Sequence, residues 1–459
     1  MEEQQHKRQL SRSLQSRHIQ MIAIGGAIGT GLFLGSGTAI HTSGPSIILS
    51  YLIVGIFCFF MMRAIGELLL SDTNKHSFLD FVKIYLGDRW EFVTGWTYWF
   101  CWISLAMADL TATGIYIKYW FPDIPQWVAP LVILILLFAS NMVNVRLFGE
   151  MESWFSMIKV VAIIALVVVG FALAIFHVKT SGSTASFAHL WNHGGFFPKG
   201  GYGFLMSFQM VVFAFVGIEM VGLTAGETDN PEANLPKAIN SLPIRIGLFY
   251  VGSMIAVMSV YPWDKITTTA SPFVQVFAGI GIAGAAGILN FVVLTAAMSA
   301  TNSCLFSTSR TLHALSNGGN ASKRFSELGK NGVPNISLNF STLVLLIIVI
   351  LNYFMPAGVF TLVSGVSTIN FVVVWLILLW AHVKYRQQNP KGVAAFKMPL
   401  YPVSDYLSLL FFAGILVFLF IDSETRLAMT ISVIAMAVMF LAYHFIYRKK
   451  PAVEENPEE

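Results

Sequence analysis

The sequence predicts an all-helical, polytopic membrane protein with twelve transmembrane helices, and three observations lead to that fold class. Hydrophobic residues make up 56% of the 459 positions and charged residues only 11%, so the chain has too few polar side chains to cover a water-soluble surface of its size. Apolar runs long enough to cross a bilayer recur almost from end to end. Lysine and arginine differ in density between successive connecting segments, as they do in membrane proteins.

The apolar runs define the spans in order, because a helix needs ~20 mostly apolar residues to cross the ~30 Å hydrocarbon core. The runs cover residues 19–41, 45–66, 91–117, 127–145, 153–176, 203–224, 243–262, 281–306, 336–354, 359–383, 403–421 and 427–447. They predict one transmembrane domain over 19–447 between polar tails at 1–18 and 448–459. No small-residue cleavage site follows a compact apolar core, so the first run is predicted to be a true span.

The positive charges predict the orientation. An even number of spans places both termini on one side, and the side richer in lysine and arginine is cytoplasmic. With the termini inside, the outer segments contain Lys118, Lys179, Lys199, Lys265 and Arg426. The inner segments then contain Arg8, Arg12, Arg17, Lys75, Arg89, Arg146, Lys237, Arg245, Lys323, Arg324, Lys330, Lys384, Arg386, Lys391, Arg448 and Lys449. We therefore expect both tails in the cytoplasm.

Two spans differ from the rest in their middles. Residues 25–31 contain four glycines in seven positions, and each costs ~1 kcal/mol of helix propensity relative to Ala. Residues 213–219 combine Gly217 with Glu219 near membrane depth, where non-helical backbone is tolerated only beside a cavity or within protein. The first and sixth helices run in opposite directions, which predicts inverted repeats of spans 1–5 and 6–10 with two additional helices. The alternative is that small residues only let helices pack closely.

Broken helices provide a site for a zwitterion from backbone alone. The N–H groups at a half-helix N-terminus attract a carboxylate, and freed carbonyls accept hydrogen bonds from an amine. We place the carboxylate at the first break and the amine at the sixth-helix break. The predicted substrate-binding residues are Ala27, Ile28, Gly29, Thr30, Gly31, Phe213, Ala214, Phe215, Gly217 and Ile218.

Three ionisable residues within the spans are candidates for coupling, because a charge at mid-membrane costs ~2.5–3.5 kcal/mol on insertion scales. Lys159 lies about two turns into the fifth helix, where it is a candidate proton carrier; the alternative is a side chain that snorkels to the inner interface. Glu219 follows the sixth-helix break and is predicted to anchor that segment or relay a proton. Asp109 has the alternative of a simple bond between the third helix and a neighbour.

Other chemistries find little support in the sequence. The glycine run lacks the Lys and Ser or Thr of a phosphate loop, the histidines form no His-Glu-x-x-His pair, and Cys58, Cys101 and Cys304 lie in apolar stretches without a disulfide pattern. We expect no cofactor, metal or nucleic-acid partner. An enzyme would place clustered acids or histidines at a membrane face, and a sensor would carry a sizeable soluble domain. Arg63, Glu67 and Arg310 are expected to make structural pairs near helix ends.

Several motifs resemble a known family. Residues 17–33, 62–68, 213–219 and 226–239 resemble those of bacterial amino-acid permeases in the amino acid, polyamine and organocation superfamily. The resemblance implies a leucine-transporter-like fold that works by alternating access. It also implies proton symport, because Lys159 matches a helix-five lysine that replaces the cation of sodium-coupled relatives.

Within that family, residues 94–102, 120–123 and 187–192 are most similar to the D-serine, D-alanine and glycine transporters. This implies a small neutral substrate of either hand. Residues 103–110 depart from that pattern, so an exchanger or a permease for a larger aromatic or γ-amino acid stays open.

Overall fold

The computed structural model describes residues 28–73, 75, 77–143, 145–180, 183–220, 231–280, 284–329, 332–393 and 396–447. Ala27, the two predicted tails and the motif residues 221–230 lie outside these ranges. Helices build the fold. Extended pairing within the described ranges is limited to an isolated bridge between Lys179 and Thr184.

The first six spans include two that are built from more than one segment. They are α1 (Ser36–Ser43, entered through a π-helical turn at Gly31–Gly35), α2 (Ile47–Ser71), α3 (Asp88–Ile117), α4 (Val128–Val143), α5 (Val145–Ile175) and α6, which consists of Gly200–Met206 and Phe208–Phe213.

The other six follow the same order as the predicted spans. They are α7 (the π-helical segment Ile246–Gly252 continued by Ser253–Val260), α8 (Ala285–Asn317), α9 (Asn335–Phe354), α10 (Val359–Gln388), α11 (Val403–Ile421) and α12 (Arg426–Ala442, followed by a π-helical turn at Tyr443–Tyr447). Connecting helices and 3₁₀ turns occupy Gly44–Ser46, Phe78–Leu86, His189–Asn192, Pro231–Asn240, Leu242–Arg245, Trp263–Lys265, Pro272–Gly279 and Lys323–Ser326.

Local sequence explains where several of these helices begin and end. Ser77 and Asp80 form a capping box that starts the helix Phe78–Leu86. Gly87, with φ +92°, ends it, and Asp88 and Glu91 then place negative charge in the first turn of α3. Gly44, with φ +65°, and Pro45 separate α1 from α2 within a stretch of 41 residues that is apolar enough to cross a membrane. One long apolar run therefore becomes two spans.

A described helix overlaps each predicted span, which confirms the polytopic helical fold. Several helix contacts also follow the order of the predicted repeat. The first four spans each contact the span five positions later, as α1 with α6, α2 with α7, α3 with α8 and α4 with α9. The contacts of α5 with α7 and α8 have their counterparts in those of α10 with α2 and α3. Exchange of spans 1–5 with 6–10 maps these contacts onto one another, as expected of two inverted repeats, whereas the contacts of α6 with α2 and α10 have no comparable counterpart among the described residues.

The last two spans lie outside that symmetric pattern. α11 packs on α2 and α10, and α12 packs on α3 and α10. Of the window that qualifies α12 as a span, only 11% of residues are buried, against 83% for α3 and α10. The long helices α3 and α10 therefore form the centre of the bundle, and α11 and α12 cover one side of it.

Candidate substrate and coupling site

The start of α1 has the geometry predicted for a half-helix N-terminus. Ile28 and Gly29 are not helical, and the N–H groups of Leu32 and Phe33 both donate to the Gly29 carbonyl, at 3.2 and 3.3 Å. The first N–H groups of a helix have no carbonyl partner within it, so this end attracts negative charge. Within the described residues, helix begins at Thr30, inside the predicted first span.

The sixth helix is interrupted where the sequence predicts it. After Phe213 the chain runs through turns until Glu219, and Gly217 adopts φ +88°, which favours glycine. The Phe215 and Ile218 N–H groups donate three residues back, at 2.8 and 3.3 Å, instead of four. All six turn residues are buried. This buried non-helical backbone is tolerated at membrane depth because it lies within protein.

The first turn of α1 and the non-helical segment of α6 touch each other through their backbones. A Cβ atom on Gly31 would lie 2.6 Å from the Ala214 Cα and 3.0 Å from the Phe213 carbonyl oxygen. No side chain fits at Gly31 without a backbone shift. At Gly29 a Cβ would meet only the Ala300 Cβ of α8, at 3.8 Å, which is ordinary contact. The structure therefore brings together the residues predicted to hold the two ends of a zwitterion.

Asp109 bonds to the start of α1. The Thr30 hydroxyl donates to its Oδ1 at 2.5 Å, and both side chains are fully buried. The Cys304 Sγ atom of α8 lies 4.0 Å from Oδ2. The sequence left open a bond between α3 and a neighbour, and that neighbour is a predicted substrate-binding residue.

Lys159 is buried, with 1% of its side chain exposed, so the structure does not show the snorkelling alternative. Its Nζ atom donates to the Ser299 hydroxyl of α8 at 3.0 Å and lies 3.9 Å from Glu152 Oε1. The Ser299 oxygen lies 2.8 Å from each Glu152 carboxylate oxygen. A lysine, a carboxylate and a serine thus form one buried network between α5 and α8.

Sequence reasoning missed Glu152, because it precedes the apolar run that starts at 153. A signal was present: Glu152 and Lys159 are about two helical turns apart and therefore share a face. Ser156, one turn after Glu152, adds a weak contact to the carboxylate at 3.4 Å.

Glu219 belongs to a separate network. Its carboxylate accepts from the Tyr98 hydroxyl of α3 at 3.4 Å and the Trp375 indole N–H of α10 at 3.2 Å. The described contacts of Glu219 are with Tyr98 and Trp375, whereas those of Lys159 are with Ser299 and Glu152. Glu219 is placed to anchor the α6 break, one of the two roles that the sequence predicted.

An aromatic group from α2 and α7 covers the α6 break. The Tyr250 hydroxyl donates to the Ala214 carbonyl at 3.0 Å, and its ring stacks on Phe215 with centroids 4.6 Å apart. Tyr51 lies 5.4 Å from the Tyr250 ring. Neither tyrosine was among the predicted residues, because apolar spans give no signal of which aromatic faces which. One lone pair of the Ala214 carbonyl is thus already occupied.

A multispan helical protein that buries non-helical backbone between two symmetry-related helices has the architecture of a secondary transporter. The sequence profile of the family described as Amino acid permease matches residues 18–456. The chain therefore belongs to the amino acid permease family.

Relatives across bacteria support this assignment and identify transporters, not enzymes. The chain is 54% identical to amino-acid permease AapA of Bacillus subtilis (strain 168), over 95% of both chains. It is 49% identical to the D-serine/D-alanine/glycine transporter of Escherichia coli (strain K12), over 96% of this chain and 95% of the relative. It is 41% identical to the aromatic amino acid transport protein AroP of Escherichia coli O6:H1, over 98% and 99%. These names agree on amino-acid transport and differ in substrate.

Proposed function

We propose that this chain imports small neutral amino acids such as glycine, alanine and serine, in D- or L-form, by proton symport with alternating access. The observation that carries the proposal is the direct contact between Gly31 and Ala214, beside a buried lysine and carboxylate. We place the protein in a bacterial inner membrane with both termini cytoplasmic, on the evidence of the lysine and arginine distribution.

The two non-helical segments divide the recognition of a zwitterion. Ala27, Ile28, Gly29, Thr30 and Gly31 hold the carboxylate at the positive end of α1. The carbonyls near Phe213, Ala214 and Phe215 accept from the ammonium group, and Gly217 and Ile218 complete the turn that exposes them. The contact of Tyr250 with the Ala214 carbonyl supports this role, because it orients that carbonyl.

Helix α8 connects the coupling pair to the substrate site. Ser299 accepts from Lys159, and the next residue, Ala300, is the nearest neighbour of a Cβ placed on Gly29. A proton on Lys159 supplies the cation that balances Glu152 in this buried place. Loss of that proton leaves Glu152 without its counter-ion, so the hydrogen bonds to Ser299 rearrange beside the carboxylate site. Glu219 anchors the α6 break during the cycle.

The coupling role is tested in proteoliposomes with Lys159→Ala. We expect pH-driven accumulation of alanine to fall to background, while counterflow without a proton gradient continues, because only the coupling ion is lost. Lys118→Ala is the matched control, because Lys118 is an exposed lysine that directly follows the last residue of α3. The Lys118→Ala protein should accumulate alanine normally. Unchanged accumulation by a folded Lys159→Ala protein would remove Lys159 from the mechanism.

The substrate class is tested by competition of labelled alanine uptake with a panel of D- and L-amino acids, measured with and without a proton gradient. We expect glycine, alanine and serine of both hands to compete best. Aromatic amino acids belong in the panel because the aromatic transporter is 41% identical. Stronger competition by phenylalanine or a γ-amino acid would overturn the small neutral substrate and leave the permease assignment intact.

A further inference from the structure

Four charged side chains form a buried cluster that the transport site does not use. This buried charge cluster consists of Glu67 on α2, His382 and Arg386 on α10, and Asp405 on α11. The His382 Nε2 atom lies 3.1 Å from Glu67 Oε2, and Nδ1 lies 2.9 Å from Asp405 Oδ1. Arg386 donates to Glu67 Oε1 at 2.7 Å. Glu67, His382 and Asp405 are fully buried.

The geometry requires a proton beyond those that the four residues carry as two carboxylates, one guanidinium and one neutral imidazole. A neutral imidazole donates from only one ring nitrogen, and the other presents a lone pair. Here both nitrogens face carboxylate oxygens. Unless a proton is added to His382 or to one of the carboxylates, a lone pair would oppose an anionic oxygen. With that proton the cluster is electrically neutral; without it, one negative charge is buried unbalanced, which is costly.

Glu67 also fixes the segment between α10 and α11. Its two carboxylate oxygens accept from the backbone N–H groups of Val393, at 3.1 Å, and Met398, at 2.7 Å. One turn earlier on α2, Arg63 donates to the Lys397 carbonyl and stacks on Phe396, 3.7 Å from the ring centroid. The cluster therefore holds this segment against the end of α2.

The other described charged or titratable groups near the cluster do not donate to its carboxylates. Arg63 on α2 is hydrogen-bonded to Asn240 and to the Lys397 carbonyl. The rings of Tyr385 on α10 and Tyr401 in the connecting segment lie 6.1 and 6.2 Å from the imidazole. The Asp405 Oδ2 atom is buried without a hydrogen bond from any described residue. Its negative charge is therefore offset within the cluster or not at all.

We infer that Glu67, His382 and Asp405 form a proton-binding site, distinct from Lys159, that clamps the α10–α11 segment to α2 while the proton is bound. Loss of the proton leaves two carboxylates against Arg386 alone, so the segment loosens. Helix α2 contacts α6 and α7 as well as α10 and α11. The clamp thus joins the helices around the substrate site to the peripheral ones. The inference depends on the family's transport activity and not on proton symport.

The clamp is tested by cysteine labelling of the purified full-length protein. Met398→Cys places a thiol at a buried position of the segment, and Lys391→Cys places one at an exposed position. The native cysteines at 58, 101 and 304 are buried and give a low background. The ratio of maleimide labelling rates at 398 and 391 cancels the pH dependence of the reagent. One linked proton lets that ratio rise with pH by up to about tenfold per unit within the titration range.

Two variants make the test specific to the cluster. Glu67→Gln removes the charge that requires the proton, so its ratio should be independent of pH. His382→Gln leaves the two carboxylates as the proton acceptors, so its transition should shift from that of the parent. Glu67→Gln retains one amide oxygen that accepts a hydrogen bond from the segment. It therefore provides the test if the His382→Gln protein does not fold. A flat ratio in the parent, or the parent's pH dependence retained in Glu67→Gln, would overturn the proton site.

A second measurement tests the connection to transport. Alanine counterflow at equal pH on both sides involves no proton gradient, so a failure of symport does not affect it. We expect its rate to rise with pH in parallel with the labelling ratio in the parent and to stay flat in Glu67→Gln. A counterflow rate that stays constant over the pH range in which the labelling ratio rises would overturn the role of the clamp in transport.

Discussion

The start of α1 and the break in α6 touch, yet they are held in different ways. Thr30 is bonded by one described side-chain contact, to an acid that another helix supplies. The α6 break carries its own acid, Glu219, which accepts from α3 and α10, and its Ala214 carbonyl accepts from Tyr250 of α7. Among the described residues, three helices therefore hold the α6 break, whereas one side-chain contact holds Thr30 at the start of α1. We infer that α1 moves more readily during the transport cycle.

The third helix holds both segments. Tyr98 and Asp109 lie about three helical turns apart and therefore share a face of α3. One contacts the acid of the α6 break and the other contacts Thr30. Because α3 also packs on α8 and α10, it is the fixed reference against which the two segments are positioned. The predictions below separate the bracing of α6 from the attachment of α1.

The largest effect is expected where the two segments meet. Gly31→Ala inserts a methyl group 2.6 Å from the Ala214 Cα, and backbone cannot yield as a side chain does. Overpacking of this kind costs about 3 kcal/mol, so we expect a lower unfolding temperature in detergent and at least tenfold slower uptake, on the order set by that energy. Gly35→Ala is the control, because its methyl meets the flexible Met210 side chain at 3.3 Å. Equal stability of the two variants would contradict a backbone contact.

A smaller loss is expected when the brace of α6 is weakened. Glu219→Gln keeps one acceptor oxygen but points an amide N–H₂ at a donor, so one of the Tyr98 and Trp375 contacts is lost. An unsatisfied buried donor costs about 2 kcal/mol. Thermal unfolding should show this loss. Tyr98→Phe removes only the longer contact, at 3.4 Å, and should cost less; the reverse order would place the anchoring elsewhere.

The attachment of α1 should be the weaker of the two. Thr30→Val removes the hydroxyl that donates to Asp109 at 2.5 Å while it keeps the branched shape. We expect a loss of about 1.5 kcal/mol, since Asp109 loses a donor, together with faster opening of α1 in hydrogen exchange. Thr30→Ser preserves the donor and is the control. If Thr30→Val destabilised the protein more than Glu219→Gln, α1 would be the better braced segment.

The sequence predicted the spans and the end of regular helix after Phe213 because both are local signals. Apolar length marks each span, and Gly217 beside Glu219 marked the α6 interruption. The glycine run at 25–31 marked the helical start at Gly31, although residues 25–27 lie outside the described ranges. Glycine and charge are costly at membrane depth, so their presence there carries information.

Side-chain contacts between different helices could not be predicted from the sequence, because they depend on packing between distant segments. Tyr250 and Tyr51 resemble any other aromatic in an apolar run, yet they enclose Phe215. Glu67 was expected to make a structural pair near a helix end, and the structure adds His382 and Asp405 to it. Arg63 pairs instead with Asn240 and the Lys397 carbonyl. The spacing of two residues predicts a pair only when both lie on the same helix, as Glu152 and Lys159 do on α5.

The smallest effect on stability is expected at Gly29, and for that reason it tests the site most cleanly. A Cβ there meets only Ala300, at 3.8 Å, so Gly29→Ala should change the unfolding free energy by less than about 0.5 kcal/mol. If the substrate carboxylate approaches this backbone closely, the added methyl still obstructs it. We expect the KM for alanine to rise several-fold, on the order of 1 kcal/mol of lost binding, with a larger rise for Gly29→Val. Gly247→Ala, at a position with open space around its Cβ, is the control and should leave KM unchanged. A normal KM in a stable Gly29→Ala protein would move the carboxylate away from the start of α1.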